Sequence, residues 1–336
     1  IAQCLVGSEM CIRDRYMPGR NRGTWSSRVS FIGNWSYPLC SLIAMGLTPL
    51  ISAEWNWRVQ LLIPAILSLI ATALAWRYFP ESPRWLESRG RYQEAEKVMR
   101  SIEEGVIRQT GKPLPPVVIA DDGKAPQAVP YSALLTGVLL KRVILGSCVL
   151  IAMNVVQYTL INWLPTIFMT QGINLKDSIV LNTMSMFGAP FGIFIAMLVM
   201  DKIPRKTMGV GLLILIAVLG YIYSLQTSML LITLIGFFLI TFVYMYVCYA
   251  SAVYVPEIWP TEAKLRGSGL ANAVGRISGI AAPYAVAVLL SSYGVTGVFI
   301  LLGAVSIIVA IAIATIGIET KGVSVESLSI DAVANK

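Results

Sequence analysis

Residues 142–170 read RVILGSCVLIAMNVVQYTLINWLPTIFMT, and after Arg142 no charged side chain follows until Lys176. One helix crosses the hydrocarbon core of a bilayer in about 20 apolar residues, and this run is longer. Seven further apolar runs lie on either side of it, at 29–50, 57–79, 178–200, 207–225, 229–255, 268–291 and 295–318. The pattern predicts an all-α membrane protein with eight transmembrane helices. Several runs exceed the minimum length, so tilts or kinks are expected. Pro38, Pro64, Pro165, Pro190 and Pro283 fall inside them, where proline is tolerated and marks a kink.

Composition agrees. Of 336 residues, 56% are hydrophobic and 13% charged, with a mean hydropathy of +0.70. A soluble chain carries about 25% charged residues. The net charge of +8 would suit nucleic acid, but the basic residues sit in short loops between apolar runs. That is the pattern of membrane topology, so no nucleic-acid partner is expected. With no histidine there is neither a His metal site nor an imidazole proton relay. Cys4, Cys11, Cys40, Cys148 and Cys248 show no paired metal spacing, and three of them fall in apolar runs, where a thiol packs as a small apolar group. No metal, cofactor or prosthetic group is called for. A membrane enzyme would need a nucleophile–base set or a metal cluster, and neither is present, so the chain reads as a non-enzyme.

The loop charges orient the spans. One set of loops holds Arg20, Arg22 and Arg28, then the 80–142 stretch, then Lys202, Arg205 and Lys206, then Lys264 and Arg266, and the tail. The alternate loops hold only Arg58 and Lys176 as basic residues. The first set is therefore cytoplasmic, in a bacterial-type inner membrane. Residues 87–141 form a cytoplasmic linker in which 92–108, YQEAEKVMRSIEEGVIR, reads as an amphipathic helix with Glu94, Glu96, Lys97 and Arg100 on its wet side. Residues 111–130 are rich in Pro, Gly and Asp and read as linker.

A weak internal repeat is visible. Pro18-Gly-Arg-Asn-Arg22-Gly23 precedes two spans that end in Glu81-Ser82-Pro83, and Pro260-Thr-Glu-Ala-Lys-Leu-Arg266-Gly267 precedes two that end in Glu319-Thr320-Lys321. Both pairs of features are offset by roughly 240 residues, as duplicated halves would be. Four further spans precede Arg266 and none precedes Arg22, so about four N-terminal helices are expected to be absent. Residues 1–15, IAQCLVGSEMCIRDR, are too short and polar to span and too charged near their end for a signal peptide. They resemble translated adapter sequence and are expected to be non-native. The division is then 1–15 non-native, 16–86 remainder of an N-terminal bundle, 87–141 linker, 142–318 a C-terminal six-helix bundle and 319–336 a cytoplasmic tail.

These motifs resemble the major facilitator superfamily, in its sugar-porter and metabolite–proton symporter branches, over about residues 16–328. Pro80-Glu81-Ser82-Pro83-Arg84-Trp85-Leu86 is similar to the signature after the sixth helix. Glu257-Ile-Trp-Pro260-Thr261 with Arg266-Gly267 and Gly275-Arg276 resembles the segment linking helices ten and eleven. Glu319-Thr320-Lys321-Gly322 resembles the signature after helix twelve, and Asp201-Lys-Ile-Pro204-Arg205-Lys206 the loop between helices eight and nine. There Pro204 and Met197 replace expected glycines, and Arg15 stands where the family has a glutamate before Pro18. The resemblance implies that the eight spans are helices five to twelve of a major facilitator fold lacking about four N-terminal helices. It also implies two bundles around a central site, with alternating access by rocking.

Two sets of residues are candidates for mechanism. Arg22, Glu81, Arg84, Asp201, Arg205, Glu257, Arg266 and Arg276 sit at span ends or one turn inside. They suit a cytoplasmic gate of ion pairs that breaks in each cycle; plain topology signalling is the simpler alternative. In the span at 142–170, Asn154, Tyr158 and Asn162 recur every four residues and share a face, with Gln157 beside it and Trp163 following. Asn182, the tyrosines Tyr244, Tyr246 and Tyr249, and Asn272 add polar groups to later spans. Substrate contact and interhelical hydrogen bonding both account for such residues. Gly188-x-x-x-Gly192 and Gly275-x-x-x-Gly279 read as close helix contacts.

Between 143 and 318 the acids Asp177, Asp201, Glu257 and Glu262 all lie at span ends or in loops. A coupling carboxylate is therefore expected outside that stretch, and this segment alone is not expected to pump. The hexose-binding pattern of sugar porters is missing: its places hold Ala152, Met153 and Tyr158. Asn162-Trp163-Leu164-Pro165-Thr166 looks like aromatic-acid and nicotinate-type proton symporters instead, although no basic residue is expected mid-membrane to meet an anion. The function expected is secondary transport of a small organic or aromatic acid by proton symport. The partners are then the substrate, the proton and the bilayer, and the chain is a monomer. A sugar:proton symporter is the alternative within the class; outside it stand a transporter-like sensor and a non-functional fragment.

Overall fold

The computed structural model describes residues 22–78, 81, 83, 86, 90–111, 130–170, 172–226, 228–260 and 263–320. The segment 1–15, Arg84, most of the 111–130 linker and the tail after residue 320 lie outside the described residues. Among the described residues every regular element is helical, and six helices are long and apolar enough to cross a membrane.

Two compact units emerge, residues 47–125 and the remainder. In the first, α3 (Ala53–Tyr78) follows α1 (Arg22–Asn34) and α2 (Ser36–Leu47) in the chain and is a span-length helix. At its outer end the Arg58 guanidinium lies 5.5 Å from the Trp55 ring and 4.4 Å from Trp57. Arginine over indole is favourable, and Trp collects at membrane interfaces. The amphipathic helix expected over 92–108 is α4 (Tyr92–Thr110). Arg91 makes a bidentate pair with Glu94 at 2.8 and 2.6 Å, and Arg100 pairs with Glu96 at 2.9 Å. The helix ends at Gly111, whose φ of 64° lets its N–H reach the Ile107 carbonyl.

The other unit holds α1 and α2 together with α5 (Tyr131–Leu134), α6 (Gly137–Thr170), α7 (Leu175–Met186), α8 (Gly188–Val199), α9 (Arg205–Ser224), α10 (Met229–Val247), a π-helical turn (Cys248–Tyr254), α11 (Val255–Glu257) and α12 (Lys264–Ile316). Proline explains the breaks. It has no N–H to give the carbonyl four residues back, and its ring crowds that carbonyl. The run expected to span from 29 to 50 is two helices meeting at Trp35, just after Asn34, which lies four residues before Pro38. Likewise α7 and α8 meet at Phe187, four residues after Thr183 and one after Met186, the residue whose carbonyl Pro190 cannot serve. Ahead of Pro256 the chain takes the wider π-turn instead, a common way of absorbing an interruption inside a helix.

Helix α12 covers 53 residues, about 80 Å at 1.5 Å per residue and far more than a bilayer core of about 30 Å. It is interrupted at Gly294, with φ 64° and ψ −160°, a conformation reserved for glycine. The two apolar runs at 268–291 and 295–318 thus meet at a kink at one residue, Gly294, where the sequence suggested a short loop.

Small residues set the packing. A Cβ on Gly188 would lie 2.5 Å from the Phe237 carbonyl, and one on Gly192 would overlap the Thr241 carbonyl, so α8 lies directly against the backbone of α10. On α12, a Cβ at Gly275 would meet Leu150 Cβ at 2.8 Å, and one at Gly279 the Tyr158 ring at 3.1 Å. Both glycine pairs are the close helix contacts expected of them.

Candidate functional site

The polar stripe of α6 faces α12. Asn154 is buried against Gly275 and Gly279; its amide donates to the Leu150 carbonyl at 2.7 Å, while its Oδ1 has no partner among the described residues. One turn on, the Tyr158 hydroxyl accepts a hydrogen bond from the Arg276 guanidinium. Beside it, buried Gln157 and Tyr37 from α2 surround the Tyr244 hydroxyl of α10. The rings of Tyr37 and Tyr244 meet edge to face at 5.0 Å. That hydroxyl is buried and makes no full hydrogen bond among the described residues. Four helical segments thus link a guanidinium, two amides and three phenol rings through neighbouring contacts.

Sequence grouped Arg276 with the charges at span ends or one turn inside, and expected no basic residue mid-membrane. Helix α12 begins at Lys264, four residues before the expected start, so Arg276 stands about 18 Å along it. Its side chain is exposed on the face that meets Tyr158.

The other polar candidates divide. Asn162 is exposed, Trp163 half-buried, and Asn182 half-buried with an unpartnered Oδ1. Asn272 donates to its own helix at Ser268, 2.9 Å. Tyr246 and Tyr249 are fully buried packing residues. Tyr246 donates to the Val149 carbonyl at 3.1 Å. Tyr249 stacks on Tyr254 at 5.0 Å and occupies the space that a side chain at Gly209 would need.

Three of the charged candidates, Arg205, Asp201 and Glu257, come together among the described residues. Arg205, buried at the start of α9, donates Nε to Glu257 at 3.1 Å and Nη2 to Asp201 at 3.2 Å; it also donates to the Met200 carbonyl. Glu319 accepts from the backbone N–H groups of Arg205 and Lys206 at 2.8 and 3.2 Å, placing an anion on the positive end of α9. Thr320 closes the set by donating to Glu257 at 2.7 Å. The Arg266 guanidinium lies 5.2 Å from the Tyr131 ring centroid. Glu81 is exposed and belongs to the first unit. The side chains of Arg22 and Arg84 lie outside the described residues.

Arg142, Trp259 and Tyr37 take up contacts that the sequence reading did not assign to them. Buried Arg142 donates to the Ile258 carbonyl at 3.0 Å. Trp259 is wedged against Gly146 and Gly267, where a Cβ at Gly267 would strike its ring. A charge on the first residue of an apolar run was the only available signal for Arg142; none pointed to Tyr37. Among the described residues no group of His, Cys, Asp or Glu could hold a metal.

Span-length helices with glycine-mediated contacts and a polar, cationic site between them define a multi-pass helical membrane protein. A model of the Major Facilitator Superfamily matches residues 5–283, and the chain belongs to that family, a family of transporters. It is 44% identical over 316 residues to the Inner membrane metabolite transport protein YdjE of Escherichia coli (strain K12), covering 94% of this chain and 69% of that one. It is 24% identical over 316 residues to the Niacin transporter NiaP of Acinetobacter baylyi, covering 94% of this chain and 70% of that one. Among solved structures, the proton:xylose symporter XylE bound to 6-bromo-6-deoxy-D-glucose matches with a TM-score of 0.63 at 21% identity, over 93% of this chain and 67% of that one. That likeness shows the fold. The chain thus spans roughly two thirds of the length of these proteins and is a multi-pass protein of a bacterial-type inner membrane.

Proposed function

We propose that the chain forms part of a secondary transporter for small organic acids, with aromatic carboxylates favoured, working by proton symport and alternating access. One observation carries the reading: the Arg276 guanidinium, about 18 Å along α12, is bonded to Tyr158, whose neighbour Gln157 meets Tyr244 together with Tyr37. A charged residue inside a span is costly and marks a substrate or ion path. Guanidinium recognises a carboxylate with two parallel hydrogen bonds, and phenol rings stack on an aromatic substrate. The resemblance to a niacin transporter points the same way.

The eight-crossing reading counts α12 twice about Gly294 and α1 with α2 as one broken span. About four more helices would complete two six-helix bundles, and the protein would work as a monomer. Proton coupling needs a carboxylate in the pathway. The acids of 142–318 lie at span ends or in loops, so that group is assigned outside this stretch. The cluster of Arg205, Asp201, Glu257 and Glu319 is assigned to the cytoplasmic gate.

The test is uptake of radiolabelled nicotinate, benzoate and xylose by cells expressing the full-length protein, with nicotinamide as competitor. Acid uptake that collapses with the proton gradient and resists nicotinamide is expected. Xylose uptake without acid uptake favours the sugar reading, for which the Asn154 and Gln157 amides offer paired donors and acceptors.

A further inference from the structure

The chain entering α12 is pinned to the start of α6 and to α5 by three contacts. Arg142 of α6 donates to the Ile258 carbonyl at 3.0 Å. Trp259 lies between Gly146 of α6 and Gly267 of α12, with no room for a Cβ at Gly267. The Arg266 guanidinium stands 5.2 Å from the ring centroid of Tyr131, the first residue of α5. Leu134 ties α5 to the buried core, while Tyr131, Leu135 and Val138 around it are exposed. Leu265, next to Arg266, is exposed as well, as is Lys141; Lys264 is half-buried. The loop charges assign this end of α6 and α12 to the cytoplasm. No acid occurs in 130–176 or in 263–318, so neither segment has an anion of its own to offset Lys141, Lys264 and Arg266. Glu262, the nearest in sequence, lies outside the described residues.

We propose that Arg266, Lys264 and Lys141, together with Tyr131, form a headgroup site for an anionic phospholipid of the cytoplasmic leaflet. The inference goes beyond the transport reading and does not depend on what the protein carries. Basic residues alone serve topology. Here they accompany exposed apolar side chains at the boundary of the membrane, and the two together match an amphiphile. A guanidinium offers phosphate two parallel N–H donors, and lysines beside it favour a headgroup with net negative charge over a zwitterionic one. Tyr131 combines an apolar ring with a hydroxyl, the kind of side chain that settles at headgroup level, and its ring holds the Arg266 guanidinium by a cation–π contact. Leu135, Val138 and Leu265 offer apolar surface to the acyl chains. A free phosphate would leave those three unmatched, and an uncharged apolar partner would leave the cations unmatched. Because Arg142 and Trp259 fix the two segments against each other, the lipid meets a preformed site.

The test is thermal unfolding of the full-length protein in detergent, titrated with dioctanoyl phosphatidylglycerol, dioctanoyl phosphatidylcholine or glycerol phosphate. A ligand that binds only the folded state raises the melting temperature with its concentration. The expected result is a saturable rise with phosphatidylglycerol, a much smaller one with phosphatidylcholine and none with glycerol phosphate. The phosphatidylglycerol concentration giving half the rise should increase about tenfold in Arg266→Gln, as the loss of a hydrogen bond to a charged group implies. Arg108→Gln, which removes an exposed charge from α4, should match the wild type. Should Arg266→Gln not fold, the Lys141→Gln/Tyr131→Ala double variant, which alters two exposed side chains, carries the same comparison with the same expected loss. No saturable rise, an equal rise with phosphatidylcholine or glycerol phosphate, or a loss in the site variants no greater than in Arg108→Gln overturns the headgroup site.

Discussion

The guanidinium of Arg276 donates to the hydroxyl of Tyr158 across the contact between α6 and α12. It does so where two glycines, Gly275 and Gly279, bring those helices together. The small residues and the cation are parts of one arrangement: close approach of the backbones lets a side chain on α12 reach a ring on α6. Tyr158 is therefore expected to orient Arg276. Tyr158→Phe should weaken aromatic-acid uptake about tenfold or more and raise KM more than it lowers the maximal rate, because the loss of a hydrogen bond to a charged group costs about 1.5–3 kcal/mol. Initial-rate measurements on the full-length protein check this.

Gly192 is expected to tolerate nothing larger. A Cβ there would overlap the Thr241 carbonyl, while Gly211 faces open space. Gly192→Val should destabilise by about 1–3 kcal/mol, as overpacking does, and Gly211→Ala should be neutral. Thermal unfolding in detergent, followed by fluorescence or by loss of the monodisperse peak, separates the two.

Arg205→Ala would leave Glu257 and Asp201 without their guanidinium. Arg205 is 5% exposed and Glu257 15%, and breaking a buried pair costs about 3–5 kcal/mol. Reduced yield and a melting temperature lower by several degrees are expected. Arg205→Lys should rescue only in part, since a lysine cannot bridge Glu257, Asp201 and the Met200 carbonyl together.

Gly294→Ala tests the kink within α12. At φ 64° and ψ −160° any Cβ is strained, by about 1–3 kcal/mol. The variant should lower thermal stability, whereas Gly303→Ala, with open space around it, should not.

Span existence was legible because it depends only on local length and hydropathy. The run at 207–225 became α9, and that at 229–255 became α10 with the π-helical turn, each within two residues of its expected ends. The amphipathic helix at 92–108 was legible for the same reason, its charges recurring at helical spacing. Broken helices were legible as prolines but not as places, because the break falls up to four residues before the ring, as at Trp35 and Phe187. The site was legible only in part. Asn154 and Tyr158 share a face by periodicity alone, yet what that face meets is a tertiary fact. The charge of Arg276 was legible, but its contact with Tyr158 on another helix was not. Tyr37 carried no local signal, since its partner Tyr244 is more than 200 residues away.

The most direct measurement is equilibrium binding of nicotinate to the purified full-length protein and to its Arg276→Ala and Arg276→Lys variants, by calorimetry or scintillation proximity. If Arg276 receives the carboxylate, binding weakens more than tenfold in Arg276→Ala and partly recovers in Arg276→Lys, with nicotinamide binding poorly throughout. Equal affinity in the wild type and Arg276→Ala, with both proteins folded, would contradict the account.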